Sequence, residues 1–482
     1  MKQVMRLKWY DRRPARRVLS LGQAAVLLLF VAGIAAGAER NPHLAIISLI
    51  AAAMAFWVAF VSFRLALWIA GSKYRPPHSG LIGVSSNLPS YTVFVPLHRE
   101  GKMLPRLIKS LDSLQYPKDK LQILFLLEED DGETWSALEY IELPRHFELV
   151  KVPGGGPRTK PNALNVGLAR ATGTYCVIYD AEDRPEPDQL LQAVATFKDA
   201  SRDVVCLQAR LAFWNGTSNW MTRFYWAEYI THFEWTSAGL AYFGIVPPLG
   251  GTSNHFITEY LREMAIDPEY LPFSDGYVGG WDPFNVTEDA ELSAALAAYG
   301  HQVQMLDSVT WEEATARLKI ADRQRRRWLK GYALTGLMYT RRPIRTARKM
   351  GLKNWFFFNL LMLGTPISLL LNPLFWGATV VYFATRTTVI EQLFPLPLYY
   401  LGLLLMVIGN LVLFYQMVAA CLKRGGYANV KFMLFLPAWW LFTSWSAYAM
   451  VFELAFRPHH WHKTEHGHDL EKEELLGREN IA

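Results

Sequence analysis

Three carboxylates stand together at Asp180-Ala-Glu182-Asp183, directly after the apolar run Thr174-Tyr-Cys-Val-Ile-Tyr-Asp180. Packed acids repel one another, and desolvating them is costly unless a cation compensates. Oxygen ligands of this kind suit Mg2+ or Mn2+ bridging phosphates. The competing reading is a solvated loop that caps the helix starting near Pro187. A second acidic group, Glu128-Glu129-Asp130-Asp131-Gly132, is either a solvated turn or a contact for a nucleobase or ribose. The run Pro153-Gly-Gly-Gly-Pro-Arg-Thr-Lys160-Pro-Asn-Ala-Leu-Asn165 pairs a glycine turn with a lysine before a helix, which can hold phosphate. It lacks P-loop spacing, and an ordinary strand-to-helix loop is the alternative. Thr287-Glu288-Asp289 opens an amphipathic run. Taken alone it favours a helix cap, with a proton-accepting carboxylate as the other reading. Gln324-Arg325-Arg326-Arg327-Trp328 puts Gln, Arg and Trp on one helical face. That face could grip a diphosphate and stack on a sugar ring, or lie on anionic lipid.

Short β-rich runs alternating with helical patterns must position these groups. Strands are predicted at 91–97, 121–127, 147–152, 174–180 and 204–208, and helices at 102–114, 162–171 and 188–200. This alternation predicts βαβ units and an α/β, mostly parallel sheet. In such sheets ligands bind beyond the carboxyl ends of strands, where both acidic groups fall.

The chain has 482 residues, 51% of them hydrophobic and 19% charged, so disorder is excluded as its main state. Its three cysteines, Cys176, Cys206 and Cys421, cannot make a disulfide framework or a cysteine zinc site. The net charge of +6 suits anionic lipid or phosphate, and no nucleic-acid partner is expected. Apolar blocks at 18–38 and 44–70 follow a basic start containing Arg12, Arg13, Arg16 and Arg17. Two anchored spans fit this pair better than a cleaved leader. The positive-inside bias places residues 1–17 in the cytoplasm. Residues 85–345 then read as one inserted domain, and 346–456 as returning membrane segments. Within these, 355–384 reads as an interfacial helix followed by a span, 396–421 as a span, and 432–456 as a crossing or re-entrant segment. Residues 457–482 form a charged tail. Its histidines (His459, His460, His462, His466 and His468) fit no zinc spacing; docking near the acceptor site is expected, with a loose solvated tail as the alternative.

Five weak motifs in one order resemble the membrane-embedded family 2 glycosyltransferases, the group of cellulose, hyaluronan, chitin and curdlan synthases. The resemblance implies a cytoplasmic GT-A domain, Rossmann-like, inserted between transmembrane helices of a multi-pass inner-membrane protein. It also implies a nucleotide sugar as donor, UDP-sugar first, a growing glycan as acceptor, Mg2+ or Mn2+ as cofactor, and room for accessory export proteins. Asp180-Ala-Glu182 is similar to the D-x-D metal motif, with Asp183 the other candidate ligand. Thr287-Glu288-Asp289 matches T-E-D, whose Asp is the general base, and Gln324 to Trp328 matches Q-x-x-R-W. Pro96, Glu100, Glu128, Asp130, Lys160, Asn165 and Asp180 take the positions of donor contacts. Gly251, Thr252 and Ser253, within Leu249-Gly-Gly-Thr-Ser-Asn-His255, take those of the acceptor loop, together with Trp328. Trp461-His-Lys-Thr-Glu-His-Gly467 resembles a tail found in several such synthases. The implied activity is inverting, metal-dependent hexosyl transfer that builds a β-linked polysaccharide. The closest rival transfers one sugar to a lipid-linked acceptor. A polytopic transporter or a catalytically dead scaffold are further alternatives, opposed by the unbroken first two spans and by the retained acids.

Overall fold

The computed structural model describes residues 15–77, 87–154, 157–264 and 280–460. The tail motif at 461–467, the distal histidines and the first fourteen residues of the basic start lie outside the described residues.

Two long helices, α1 (Leu21–Arg40) and α2 (Pro42–Lys73), precede the sheet. Asn41 turns the chain between them: its side chain accepts the Leu44 N–H at 3.0 Å, and Pro42 takes the first helical position. The domain then runs β1 (Tyr91–Leu97), α3 (Leu104–Asp112), β2 (Leu121–Glu128), α4 (Gly132–Leu138), β3 (Phe147–Val152), α5 (Lys160–Arg170), β4 (Tyr175–Ile178) and β5 (Arg184–Pro185). It continues with α6 (Gln189–Asp199), β6 (Val204–Phe213), α7 (Trp220–Ile230), α8 (Ala238–Tyr242), β7 (Asn254–Ile257), α9 (Thr258–Glu263), α10 (Glu288–Ala298) and β8 (Gln302–Glu312). The strands make one sheet in the order β3-β2-β1-β4-β7-β6-β8-β5. β1 pairs in parallel with β2 and β4, Tyr91 facing Leu121 on one side and Tyr175 on the other. The β4–β7, β6–β7 and β5–β8 pairs are antiparallel, while β6–β8 is parallel, so the sheet is mixed.

β1 and β2 are covered on both faces, which is why they read as unbroken apolar runs. The chain builds outward from β1 through β2 to β3 and then returns to lay β4 on β1's other side. That reversal opens a crevice at the carboxyl ends of β1 and β4. The β4 ladder stops at Ile178, short of the expected 180. The Asp180 N–H instead donates to Asp183 Oδ2 at 2.7 Å, turning the chain out of the sheet. β6 runs past 208 to Phe213 because β8 supplies a partner there, with two register shifts.

After β8 come α11 (Leu318–Thr340), α12 (Pro343–Met350), α13 (Leu352–Thr385), α14 (Thr388–Leu393), α15 (Leu396–Leu404), α16 (Asn410–Lys423), α17 (Tyr427–Val430) and α18 (Leu436–Phe456). A wider turn at Leu405–Gly409 joins α15 and α16 into one apolar helix, Leu396–Lys423. Four described helices are long and apolar enough to cross a membrane: α1, α2, α13 and Leu396–Lys423. The expected interfacial helix followed by a span is replaced by a single 34-residue α13 that continues through Pro366 and Pro373. Thr365 and Ser368 hydroxyls donate to the Leu361 and Thr365 carbonyls around the first proline, at 2.7 and 2.8 Å. Local polar groups of this kind let proline persist in an apolar helix.

α2 is clamped to the sheet domain. A Cβ on Gly71 would lie 2.3 Å from the Trp235 carbonyl oxygen, and one on Gly239 would lie 2.2 Å from that of Leu67. These contacts are shorter than any side chain permits, so the two glycines set how closely the helix and the domain approach.

Candidate active site

The site is assembled at the crevice from three segment ends and the middle of one helix. β4 delivers Asp180, the start of α5 delivers Lys160, the start of α10 delivers Glu288 and Asp289, and α11 delivers Arg327 and Trp328. Lys160 joins three of them. Its ammonium contacts Asp180 and donates to the Gly251 carbonyl at 3.0 Å. Burial works against its charge, yet Asp180, Glu288 and Asp183 outweigh burial and hold Lys160 above its ordinary value.

Glu182, Asp183 and Glu312 lie behind Asp180. Burial first, and then the neighbouring acids, push all three well above the usual carboxylate range. Asp183 Oδ1 and Glu312 Oε1 are buried without a hydrogen-bond partner among the described residues. Repelling, desolvated oxygens with orphaned lone pairs are the donor set of a hard divalent cation. The residues therefore fit Mg2+ or Mn2+ by chemistry. As they stand, no three acids, histidines or cysteines among the described residues are gathered around one point. Asp183 also has a structural task, since its Oδ2 accepts the Asp180 N–H and the Thr252 hydroxyl. Glu312 escaped the sequence reading, although Trp311-Glu312-Glu313 repeats the strand-then-acids signal of Asp180.

Asp289 is the second position of α10. Its Oδ1 accepts the Ala290 N–H at 2.7 Å, a helix-end contact, while Thr287 makes no side-chain cap bond. The other oxygen, Oδ2, faces Gly251, where a Cβ would lie 3.1 Å away. Gly251 has φ +84 and Ser253 φ 55, so the loop passes the acid in a left-handed conformation that leaves room beside it. Burial and then Glu288 raise Asp289 to about 7, opposed by the Ala290 N–H, Lys160 and Arg327. A carboxylate titrating there can take a proton at neutral pH.

A cavity of about 320 Å3 opens beside Asp289. Gly250, Thr287, Tyr229, Trp328 and Tyr332 line it, together with Thr365, Ser368, Gln416 and Thr443 of α13, α16 and α18. Trp328 packs against Tyr225 and Tyr229 with ring centroids 6.1 Å apart in both cases. A wide, π-type stretch at Thr231–Ser237 aims Thr231, His232, Phe233 and Thr236 into the same space. No sequence signal marked this stretch.

Several candidates have other tasks. Both polar atoms of the Asn165 side chain are spent on the Trp281 backbone, at 2.9 and 3.1 Å, so Asn165 holds the loop before α10 and does not face the donor crevice. Thr252 turns inward to Asp183, and the Ser253 hydroxyl donates to Thr310 Oγ1 at 2.7 Å; both brace the loop from its buried side. Gln324 is half-buried, and its side chain makes no hydrogen bond among the described residues. Arg327 Nη1 donates to the Val286 carbonyl at 3.3 Å. In the acidic turn after β2, Glu129 pairs with Lys151 at 2.5 Å, Asp130 pairs with Arg158 at 2.6 Å, and Asp131 caps α4. Glu128 is buried and raised to about 7, by burial first and then by Asp130. Pro96 is the penultimate residue of β1, and Glu100 lies near enough to Glu182 to raise it. Where the tail is described, the His459 ring nitrogens lie 3.0 Å from the Phe284 carbonyl and 3.1 Å from that of Arg16.

Comparison with known proteins agrees with this geometry. Residues 89–331 match the model of the glycosyltransferase like family 2. A probable glycosyltransferase, YdaM of Bacillus subtilis, is 26% identical over 279 residues, covering 56% of this chain and 62% of its own. A beta-monoglucosyldiacylglycerol synthase of Nostoc is 24% identical over 272 residues, covering 55% and 54%. Glucomannan 4-beta-mannosyltransferase 2 of Arabidopsis thaliana is 25% identical over 274 residues, covering 54% and 48%. The chain thus spans about half to three-fifths of the length of these relatives. Among solved structures, mannosyltransferase PcManGT of Pyrobaculum calidifontis, in complex with GDP-Man and Mn2+, superposes with a TM-score of 0.51 at 18% identity. That match covers 85% of this chain and 99% of the mannosyltransferase. Half of the sequence, including every acid of the crevice, falls inside the family match, and the chain belongs to the family 2 glycosyltransferases, with a GT-A fold flanked by apolar helices.

Proposed function

We propose that the chain transfers a hexosyl group from a nucleotide sugar, with inversion, to an acceptor hydroxyl presented from the membrane side, and that it builds a β-linked glycan. One observation carries the reading: Asp289, raised to about 7, faces a cavity that leads from the nucleotide crevice into the apolar helices. Asp289 Oδ2 takes the acceptor proton as the acceptor oxygen bonds to the anomeric carbon. The bond from that carbon to the diphosphate breaks, and its electron pair leaves with the diphosphate. Lys160 and Arg327 offset the charge that develops there. Asp180, Glu182, Asp183 and Glu312 would hold Mg2+ or Mn2+, whose chemistry when bound is charge neutralisation on the diphosphate. Glu128 and Asp130 are the candidates for the nucleoside, with Pro96 and Glu100 lining the end of β1. Trp328 offers a stacking surface for the acceptor ring, and Gly251 clears space for it. The basic start and the Lys423–Lys431 loop support a cytoplasmic catalytic domain on an inner membrane. Any export partner would meet the far ends of the helices.

A second reading, one sugar added to a lipid-linked acceptor, is favoured by a larger apolar cavity of about 650 Å3 that adjoins the catalytic one among the helices. The inversion is tested by the anomeric configuration of the product formed from an α-linked nucleotide sugar, read by proton NMR. A β-linked product is expected, and an α-linked product overturns the single-displacement mechanism.

A further inference from the structure

A glutamine, Gln208, lies fully buried within the apolar strand β6, Val204-Val-Cys-Leu-Gln-Ala-Arg-Leu-Ala-Phe213. A buried amide is costly unless its polar atoms are bonded. Its Oε1 accepts the Gly250 N–H at 2.7 Å and the Asn254 side-chain N–H at 2.5 Å. Its Nε2 donates to the Thr252 carbonyl at 3.1 Å and to the Ala209 carbonyl at 2.8 Å. These partners fix which way the amide faces, because a backbone N–H donates and a carbonyl accepts. β6 shifts its register against β8 between Gln208 and Arg210, an irregularity of the kind that re-aims a side chain beside a site. The β6–β7 ladder that pairs Gln208 with Asn254 is made by backbone atoms and does not require the amide.

Gln208 thus grips the residue before Gly251 and the residue after it. Gly251 has φ +84, its carbonyl accepts the Lys160 ammonium at 3.0 Å, and a Cβ on it would lie 3.1 Å from Asp289 Oδ2. Beyond Gly251 the loop is tied to β4: the Ser253 N–H and the Thr252 hydroxyl donate to the Ile178 carbonyl, at 2.7 and 3.1 Å. The Gln208 amide joins that fixed part to Gly250 across Gly251. Any shift of Gly251 changes the space beside the oxygen that takes the proton. We propose that Gln208 is a positioning residue: it locks Gly251 against Asp289 so that an acceptor hydroxyl, and not water, fits beside the base. The inference rests on the transferase reading and adds the device that keeps transfer coupled. In the uncoupled reaction water replaces the acceptor. Its oxygen bonds to the anomeric carbon, Asp289 takes its proton, and the electron pair of the broken bond leaves with the diphosphate.

The test gives the full chain in detergent a panel of radiolabelled UDP- and GDP-sugars with membrane lipid extract, and separates glycosylated product from free sugar. Nucleoside diphosphate binding is the fold check. Gln208→Met is close in volume and removes the amide's bonds. It should form product at least about tenfold more slowly, as a displaced reacting geometry implies. The share of label released as free sugar should rise at least about threefold, because water is no longer excluded. Nucleoside diphosphate affinity should stay within about twofold, since the donor crevice is untouched. The losses from Gln208→Met and Gly251→Ala should not multiply in the double variant, because one acts through the other. A wild-type rate in Gln208→Met overturns the proposal. So does a slower rate with an unchanged free-sugar share, which leaves Gln208 a purely structural role, and so do losses that multiply fully. If Gln208→Met fails the fold check, Gln208→Glu decides: it keeps an oxygen for Gly250 and turns a second oxygen on the Thr252 carbonyl, and an unchanged free-sugar share there refutes the idea. Hydrogen exchange needs no turnover, and the Gly250 amide should exchange at least about tenfold faster in Gln208→Met. Faster exchange without any wild-type turnover would sink the transferase reading alone; wild-type turnover with unchanged exchange would sink this one alone.

Discussion

Replacing Asp289 by Asn separates a proton acceptor from a helix-end contact. The amide oxygen can still accept the Ala290 N–H now held at 2.7 Å, so the cost to the helix end is at most about 1 kcal/mol. The charge changes in the other direction. The folded protein holds Asp289 at about 7, well above an ordinary carboxylate, through burial and Glu288. A carboxyl raised in this way contributes stability that is present at low pH and lost as pH rises through about 7. Asn removes that loss, so above pH 7 the variant should melt no lower than the wild type. Turnover should instead fall by about 10²–10⁴-fold, because the amide cannot take a proton. In the wild type, turnover should rise with pH through about 7 as the carboxylate forms. The assay is nucleoside diphosphate release at saturating donor by full-length protein in detergent, with thermal melting alongside. A variant that keeps more than about a tenth of wild-type turnover would return Asp289 to a helix-end role.

Three further outcomes follow from the same geometry. Glu182, Asp183 and Glu312 are raised by burial and by one another, so the stability they contribute is lost as pH rises. Mn2+ should therefore raise the melting temperature more at pH 8 than at pH 6, and an equal rise at both would remove the carboxylates as its ligands. Gly251→Ala puts a Cβ 3.1 Å from Asp289 Oδ2 on a backbone at φ +84; it should cost about 1–3 kcal/mol and at least about tenfold in turnover. Wild-type turnover in that variant would show that the loop does not crowd the acid. Asn165→Ala breaks two bonds to the Trp281 backbone and should lower stability by about 1–3 kcal/mol with donor affinity little changed in the folded fraction. A large loss of donor affinity by calorimetry, with stability intact, would instead return Asn165 to the diphosphate.

Much of the catalytic half was legible because its signals are local. β1, β2 and β3 are short apolar runs bounded by turns, and the acids at 128–131 and 180–183 stand where parallel strands end. β8 was not legible: Gln302–Glu312 mixes polar and apolar residues because its partners and covering layers differ along its length. Asn165 and Thr252 show the limit of motif reading. A side chain near a site can serve its backbone, and only the fold reveals that Asn165 points at Trp281. Pro366 and Pro373 suggested a break in α13 because proline removes a helix donor, but an apolar surround with local hydroxyls keeps the helix continuous.

The central claim is nucleotide-sugar transfer. Purified full-length protein in detergent, given membrane lipid extract, Mg2+ or Mn2+ and a panel of UDP- and GDP-sugars, should release nucleoside diphosphate from at least one donor in step with a glycosylated product. Excess chelator and Asp289→Asn should each abolish that release. No turnover of any nucleotide sugar by folded, nucleotide-binding protein, or turnover that Asp289→Asn leaves intact, would contradict the account.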